Sequence, residues 1–366
     1  MKIVLPTTIP PCVGAVTTLF VAALLTAGCQ DSEPSLPVSD VEVELSDVPD
    51  GSLDIGDTDE PDGDDAAGLR PYADPRDGAE PDAPVFADTL TVMSFNVMCS
   101  FCVNSDHPEW EQAWDTRVPW LQDVILRHDP DLIGLQELAA FDSETNEVEL
   151  FAQSGEYNSV FYRHVDDDPL LVDYPDSALL FRAARFELLA EGVFWLGPNP
   201  DVSFSGGWAG GNLPRLVTWA RLRDRRDAME FVFVGTHFDN NSPNQERSAE
   251  LVTSRIGELA DGLPILFVGD FNSRPDSTAY ATLVTPSEGS GLGLTDTFDE
   301  APEWQQTTNQ DPQPAYSSDS RIDHIFVRDL PYTTTDWSVD TYGYGEDMQY
   351  PSDHLAIVAT LQADAP

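Results

Sequence analysis

Lysine is almost absent: Lys2 is the single one in 366 residues, and every other cation is an arginine. Eighteen basic residues face 65 acidic ones, for a net charge of −47. The shortage is not confined to one stretch. Between Gln30 and Asp88 nineteen acidic residues face only Arg70 and Arg76, a net of −17; with Lys2 counted, −31 remains for residues 89–366. Non-specific nucleic-acid binding rests on cations meeting phosphates, so an acidic domain is a poor general binder of polyanions. A phosphorylated substrate is not excluded, because a bound metal supplies its own positive charge. Long apolar runs are missing too. After the first 29 residues nothing approaches the ~18 apolar residues of a membrane span. Cysteine is scarce, with four in the chain. Cys99 and Cys102 form a lone Cys-x-x-Cys after a predicted strand, with only His107 near enough to complete a zinc site. The thioredoxin-like surroundings of a redox motif are lacking. In an oxidising compartment a local disulfide is allowed, and both a disulfide and free buried thiols stay open.

The N-terminus does hold one apolar segment. Met1-Lys2 is followed by the small-residue-rich run Val13 to Ala27 and by Leu25-Thr26-Ala27-Gly28-Cys29. Small residues ahead of a cleavage point suit a signal peptide. The cysteine after it resembles the bacterial lipoprotein box, which implies lipidation of Cys29 and export to the envelope. Gln30 in place of Asp favours the outer membrane. Residues 29–88, rich in Asp, Glu, Pro, Gly and Ser, cannot bury enough apolar surface to fold and read as an extended, disordered spacer. The expected plan is a signal peptide at 1–28, an acidic linker at 29–88 and one catalytic domain at 89–363.

From Thr89 the texture is that of a folded domain. Leu90–Val97, Asp131–Leu135, Ala178–Phe181, Leu216–Ala220, Phe231–Val234, Pro264–Val268, Ile322–Val327 and Leu355–Leu361 read as strands. Asp115 is placed to N-cap a helix carrying Val118, Leu121, Val124 and Ile125, and Glu246 to Leu259 has helical spacing. Many strands with interspersed helices and no repeat predict a single domain of both element types.

Polar residues at the ends of apolar strands carry the functional signal, because burying them without a partner is costly. Asn96 interrupts the first strand and Glu137 follows the second, in Leu135-Gln-Glu-Leu138. His237 ends the Phe231 strand. Asp270 and Asn272 end the Pro264 strand, in Gly269-Asp-Phe-Asn272. Asp323 and His324 sit in Arg321-Ile-Asp-His324, and Asp353 and His354 precede the last strand in Ser352-Asp-His354. One such residue is usually a turn former. Six stations rich in histidine and carboxylate are not explained that way.

Taken in order, Asn96, Gln136-Glu137, Thr236-His237, Gly269-Asp-Phe-Asn272, Arg321-Ile-Asp323 and Ser352-Asp-His354 resemble the endonuclease/exonuclease/phosphatase superfamily with the DNase I-like fold, over Leu90 to Leu361. The motifs Arg185-Phe-Glu-Leu-Leu189, Phe194-Trp-Leu196 and Pro214-Arg215 look like its small secreted or cell-surface hydrolases. The resemblance implies an α+β fold, a four-layer α/β/β/α sandwich of two mixed sheets. It implies that Glu137, helped by Asn96, holds Mg²⁺ or Mn²⁺, with Asp353 acting through a water. Asp270 would orient or deprotonate the attacking water, with His354 as the alternative base. Asn272 would bond the phosphoryl oxygen or nucleophile, and His237 and His354 would donate to non-bridging oxygens. Asp323 would orient His354. His324 stands where Tyr or Trp is common and reads as packing behind the site. Arg215 either binds a substrate phosphate or forms a structural ion pair, and Trp208 in the Gly-rich loop 205–212 either contacts substrate or rides an ordinary surface loop.

The expected activity is metal-dependent hydrolysis of a small phosphorylated compound at the cell envelope by a membrane-anchored or secreted monomer. The alternatives are a secreted nuclease, with nucleic acid as substrate only, then a phospholipase C-like enzyme. Least favoured is a surface-binding lipoprotein without catalysis, because the family's reactive residues are all present.

Overall fold

The computed structural model describes residues 88–102, 112–140, 146–152, 155–165, 172–209, 213–286 and 292–364. The expected signal peptide, Cys29 and all of the acidic linker before Asp88 lie outside the described residues, as does His107. The described elements run β1 (Thr89–Asn96), α1 (Trp114–His128), β2 (Leu132–Gln136), β3 (Tyr157–Tyr162), β4 (Tyr174–Arg182), β5 (Phe186–Trp195), β6 (Leu216–Asp224) and β7 (Glu230–His237). They continue with α2 (Ser242–Ala260), β8 (Ile265–Asp270), α3 (Thr278–Val284), β9 (Thr295–Asp296), α4 (Thr297–Glu300), β10 (Trp304–Thr307), β11 (Asp323–Arg328), β12 (Tyr332–Asp340) and β13 (Ile357–Ala363). One sheet has seven strands, ordered β10-β12-β13-β1-β2-β4-β3; the other has six, ordered β5-β6-β7-β8-β11-β9. Both are mixed. β1 runs parallel to β2 and antiparallel to β13, while β7 runs parallel to β8 and antiparallel to β6.

Strand side chains alternate between faces, and the two faces here go to different cores. Leu90 and Val92 of β1 meet Phe233 of β7 and Leu266 and Val268 of β8 between the sheets. Met93 and Phe95 point the other way, onto Leu121, Val124 and Ile125 of α1. In the second sheet Val232, Val234 and Phe267 turn outward onto Ala249, Val252 and Ile256 of α2. The result is helix, sheet, sheet, helix: the four-layer sandwich expected. The sheets approach so closely at Gly134 that an added Cβ would lie 2.3 Å from Cγ2 of Val268.

Two expectations need adjusting. Asp115 does not cap α1: the helix begins at Trp114, two residues earlier than such a cap would place it, Ala113 holds the cap position, and no side-chain cap bond forms. Asp115 sits in the first turn instead, where its charge complements the positive end of the helix dipole. α2 starts at Ser242, four residues ahead of the Glu246 expected, because Asn241 accepts from Asn244 N–H and Pro243 suits the first turn. β3, β5, β9, β10 and β12 were not legible as strands. β12 carries Thr333, Thr334, Thr335 and Asp336, whose polarity hides the pattern of a partly exposed strand.

Candidate active site

Strand register assembles the site. His237 pairs with Asp270 across parallel β7 and β8, and Asp323 pairs with Asp270 across antiparallel β11 and β8. In the other sheet Asn96 pairs with Gln136, with Glu137 one residue beyond. Gly269 keeps the β7–β8 pairing close: an added Cβ there would lie 2.3 Å from the Thr236 carbonyl oxygen.

Asp270 Oδ2 is the hub. Asn96 Nδ2 donates to it at 3.1 Å and to Glu137 Oε1 at 3.0 Å, tying the two sheets' carboxylates together. His237 Nε2 lies 3.5 Å from Asp270 Oδ2 and His354 Nε2 lies 3.6 Å from it. Asp323 Oδ2 sits 2.9 Å from His354 Nδ1. Ser352, a residue whose part the sequence reading missed, bridges the loops: its hydroxyl donates to the Asn96 carbonyl at 2.7 Å and accepts from His354 N–H at 3.1 Å. Asn272 N–H donates to Asp270 Oδ1 at 2.8 Å, and Asn272 Nδ2 to the Phe238 carbonyl at 3.0 Å. The chain thus brings Asn96, Glu137, His237, Asp270, Asn272, Asp323 and His354 into one cleft, with Asp353 exposed at its rim.

Three non-glycine residues here adopt left-handed backbone, Met98 (φ 53°), Glu137 (φ 67°) and Asn272 (φ 47°). Each such conformation costs roughly 1–3 kcal/mol and persists only where the surroundings over-determine it. They do so here: Met98 N–H donates to Asn96 Oδ1 at 3.0 Å and Glu137 N–H to the Asp176 carbonyl at 3.1 Å.

Of the two readings open for Arg215, the ion pair is what the structure holds. Its Nη1 lies 3.1 Å from Asp176 Oδ2 and 2.6 Å from His237 Nδ1. His237 Nδ1 also lies 3.2 Å from Asp176 Oδ1, so both partners hold the ring with Nε2 facing Asp270. Asp176 was missed, although a carboxylate near the start of the apolar β4 is the same kind of signal as the six stations. Burial pushes Asp176 up, but His237 and Arg215 outweigh it and hold the carboxyl at about 2. Arg117 was missed as well. It is buried on the apolar face of α1 and donates to the carbonyls of Gln112, Val97, Pro351, Met98 and Cys99. Its spacing with Leu121, Val124 and Ile125 could have revealed it, since an arginine in an apolar stripe needs a partner. His324 is fully buried behind the site, 3.0 Å from Asp296 Oδ2 and 2.9 Å from the Ser273 carbonyl, and serves packing.

Burial alone would lower His354, but the adjoining Asp323 carboxylate, with Asp270 and Asp353 behind it, holds the imidazole well above its ordinary value. The shift favours its protonated form. Asp353, exposed as a residue but with its carboxyl partly desolvated by the cleft wall, is raised, against the pull of His354 and with Glu137 adding repulsion. A divalent cation fits this donor set. Glu137, Asp270, Asp323 and Asp353 crowd negative charge into one cleft, and buried Asp323 Oδ1 has no hydrogen-bond partner. Hard cations prefer such oxygens. The sulfurs of Cys99 and Cys102 also approach Glu137, but a disulfide joins them, settling the alternative left open for this pair.

A DNase I-like sandwich with carboxylates and imidazoles converging at the strand ends defines a phosphoester hydrolase. The profile of the Endonuclease/Exonuclease/phosphatase family matches residues 93–354, and the chain belongs to that family. Its members hydrolyse phosphoesters and depend in general on divalent metal. The chain is similar to Nocturnin of Drosophila melanogaster (25% identity over 216 residues, 55% of this chain and 32% of that protein). It is also similar to the CCR4-Not complex 3'-5'-exoribonuclease subunit Ccr4 of Saccharomyces cerevisiae (24% over 242 residues, 54% of this chain and 27% of that protein). It thus spans about a third or less of the length of these curated relatives. Among solved structures, a mannosyl-6-phosphatase of Bacteroides thetaiotaomicron is 26% identical, with a TM-score of 0.58, covering 74% of this chain and 99% of that one.

Proposed function

We propose that this protein hydrolyses a small phosphorylated compound, a sugar phosphate or nucleotide, by in-line attack of water at the cell envelope, using Mg²⁺ or Mn²⁺. The observation that carries the reading is the single Asp270 oxygen facing both His237 Nε2 and His354 Nε2 at 3.5 and 3.6 Å. Glu137 and Asn96, with Asp353 at the rim, would hold the metal, which when bound neutralises phosphoryl oxygens and makes attack by an anion tolerable. Asp270 takes the proton from the attacking water as its oxygen bonds phosphorus and the opposite ester P–O bond breaks, the departing alkoxide taking a proton from solvent. Asp323 favours the protonated form of His354, which makes Asp270 the better base. The Nε2–H groups of His237 and His354 instead meet non-bridging oxygens as negative charge builds on them. Arg215 and Asp176 act through His237, fixing the orientation of its ring. Asn272, braced by Phe238 and Asp270, orients the nucleophile.

The small-substrate choice is supported by charge. Among the described residues Arg127, Arg182, Arg185, Arg215, Arg221, Arg223, Arg226, Arg255, Arg321 and Arg328 are each paired with a carboxylate of the same chain, leaving few cations for a nucleic-acid groove. The similarity to a mannosyl-6-phosphatase points the same way. Likeness to an exoribonuclease subunit favours a nuclease as the second reading. Export through the N-terminal segment, with lipid on Cys29 and the acidic stretch as spacer, would place a monomer at the bacterial outer membrane.

The purified protein with Mg²⁺ or Mn²⁺ is to be offered p-nitrophenyl phosphate and bis-p-nitrophenyl phosphate, then sugar phosphates, nucleotides, RNA, plasmid DNA and sphingomyelin. Fastest turnover is expected on a small phosphoester. Preference for RNA or DNA would transfer the assignment to the nuclease, and inertness toward the whole panel would end the enzymatic reading.

A further inference from the structure

We infer that the Cys99–Cys102 disulfide is a positioning element for Glu137 and sets how tightly the site holds its divalent cation. This rests on the reading of Glu137 as the metal-holding carboxylate and adds a covalent restraint outside the reacting atoms. Both Glu137 oxygens are gripped from one short stretch of chain. Asn96 Nδ2 donates to Oε1 at 3.0 Å, and Cys99 N–H donates to Oε2 at 2.9 Å. That stretch has left the sheet: β1 ends at Asn96, and the last ladder-like bond is Val97 N–H to the Gln136 carbonyl at 3.1 Å. Met98 then turns into left-handed backbone, φ 53°, so sheet pairing does not aim the Cys99 N–H. Two restraints do. Arg117 holds the Val97, Met98 and Cys99 carbonyls from one side. On the other, the disulfide and the Cys102 N–H to Cys99 carbonyl bond of 3.2 Å close a tight turn. The two sulfurs and a Glu137 oxygen all lie within 4.8 Å of one another, so the bond abuts the carboxylate.

Cys99 is buried and Cys102 is exposed, so a small dithiol can reach the bond. Reduction breaks S–S, adds two electrons and two protons to give two thiols, and oxidises the dithiol to its own disulfide. With the covalent closure gone, Arg117 alone restrains the Cys99 N–H, its hold on Oε2 loosens, and the carboxylate gains freedom it must lose again on binding metal. Losing the hydrogen-bond partner of a metal ligand typically weakens metal binding by ~10–100-fold.

Mn²⁺ binding, read by the electron paramagnetic resonance of the free ion, tests this on oxidised protein, dithiothreitol-reduced protein, Cys102→Ser and Glu137→Gln. Mn²⁺ prefers oxygen ligands, so the freed thiols do not substitute for the carboxylate. Expected is binding at least about tenfold weaker in the reduced protein and in Cys102→Ser, with reoxidation restoring the parent alone. Thermal unfolding without metal checks that each form is folded. Should Cys102→Ser not fold, the reduction and reoxidation cycle on the parent decides. Reduced protein binding Mn²⁺ as tightly as oxidised, while Glu137→Gln binds weakly, overturns the inference alone. Glu137→Gln binding as well as the parent removes the metal-holding reading and this inference with it.

Discussion

Arg117 gives the sharpest test of how the cleft is held together. Its five N–H donors meet five backbone carbonyls: Gln112 at 3.0 Å, Val97 at 2.7 Å, Pro351 at 3.0 Å, Met98 at 2.9 Å and Cys99 at 3.1 Å. Three lie in the loop behind Asn96 and Glu137, and Pro351 lies in the loop that presents His354, so one guanidinium joins both halves of the site. Burial lowers Arg117 to about 10, which leaves it charged at neutral pH. Arg117→Leu removes every donor. A buried acceptor left unpaired costs ~1–3 kcal/mol, and water will re-solvate those nearest the surface. Two carbonyls remaining dry already give about 2–6 kcal/mol, so a loss of about 4 kcal/mol is expected, among the larger values for a single substitution. Arg117→Lys keeps a charge but loses the planar fork, and should fall between parent and Leu variant. Urea unfolding at pH 7, with slopes compared to exclude a change in the denatured state, measures it. A loss below about 1 kcal/mol would show that the loops are held by something else.

Three further outcomes follow from the same geometry. Asp270→Ala, Glu137→Ala and His354→Ala should each reduce turnover at least ~100-fold, measured on the best substrate of the panel; near-normal activity in any one contradicts its assigned role. Chelation with EDTA should abolish hydrolysis and Mg²⁺ or Mn²⁺ restore it, whereas activity surviving exhaustive chelation would remove the metal from the reaction. Burial raises Asp296, but His324 and Arg321 outweigh it and hold its carboxyl below the ordinary range. Its folded pKa is thus below its unfolded one, so its contribution is present above the ordinary pKa of about 4 and lost as pH falls through the lower native value. The stability deficit of Asp296→Asn should be full at pH 6–7 and shrink in more acidic solution; a deficit that grows on acidification would reverse that sign.

The candidate residues were legible because strand-end Asn, Asp, Glu and His interrupt apolar runs in a recurring order, and each such interruption demands a partner. Asn96, Glu137, His237, Asp270 and His354 all announce themselves this way. Asp176 escaped because Asp-Ser ahead of an apolar strand reads as an ordinary turn. Arg117 escaped because α1 is otherwise a conventional amphipathic helix. Arg215 kept two readings, since only geometry says whether a guanidinium faces a substrate or a neighbouring carboxylate.

The residues alone determined the acidity, the scarcity of cations, the strand and helix periods of the central elements and the chemical types at each station. Those follow from local pattern and composition. Tertiary structure decided that one oxygen of Asp270 lies between two histidines, that Arg215 pairs with Asp176 through Nη1, and that a disulfide abuts Glu137. These depend on register between strands far apart in the chain and on which loops meet where the two sheets end. Such long-range closure is set by how whole faces pack, and no short stretch of sequence encodes it.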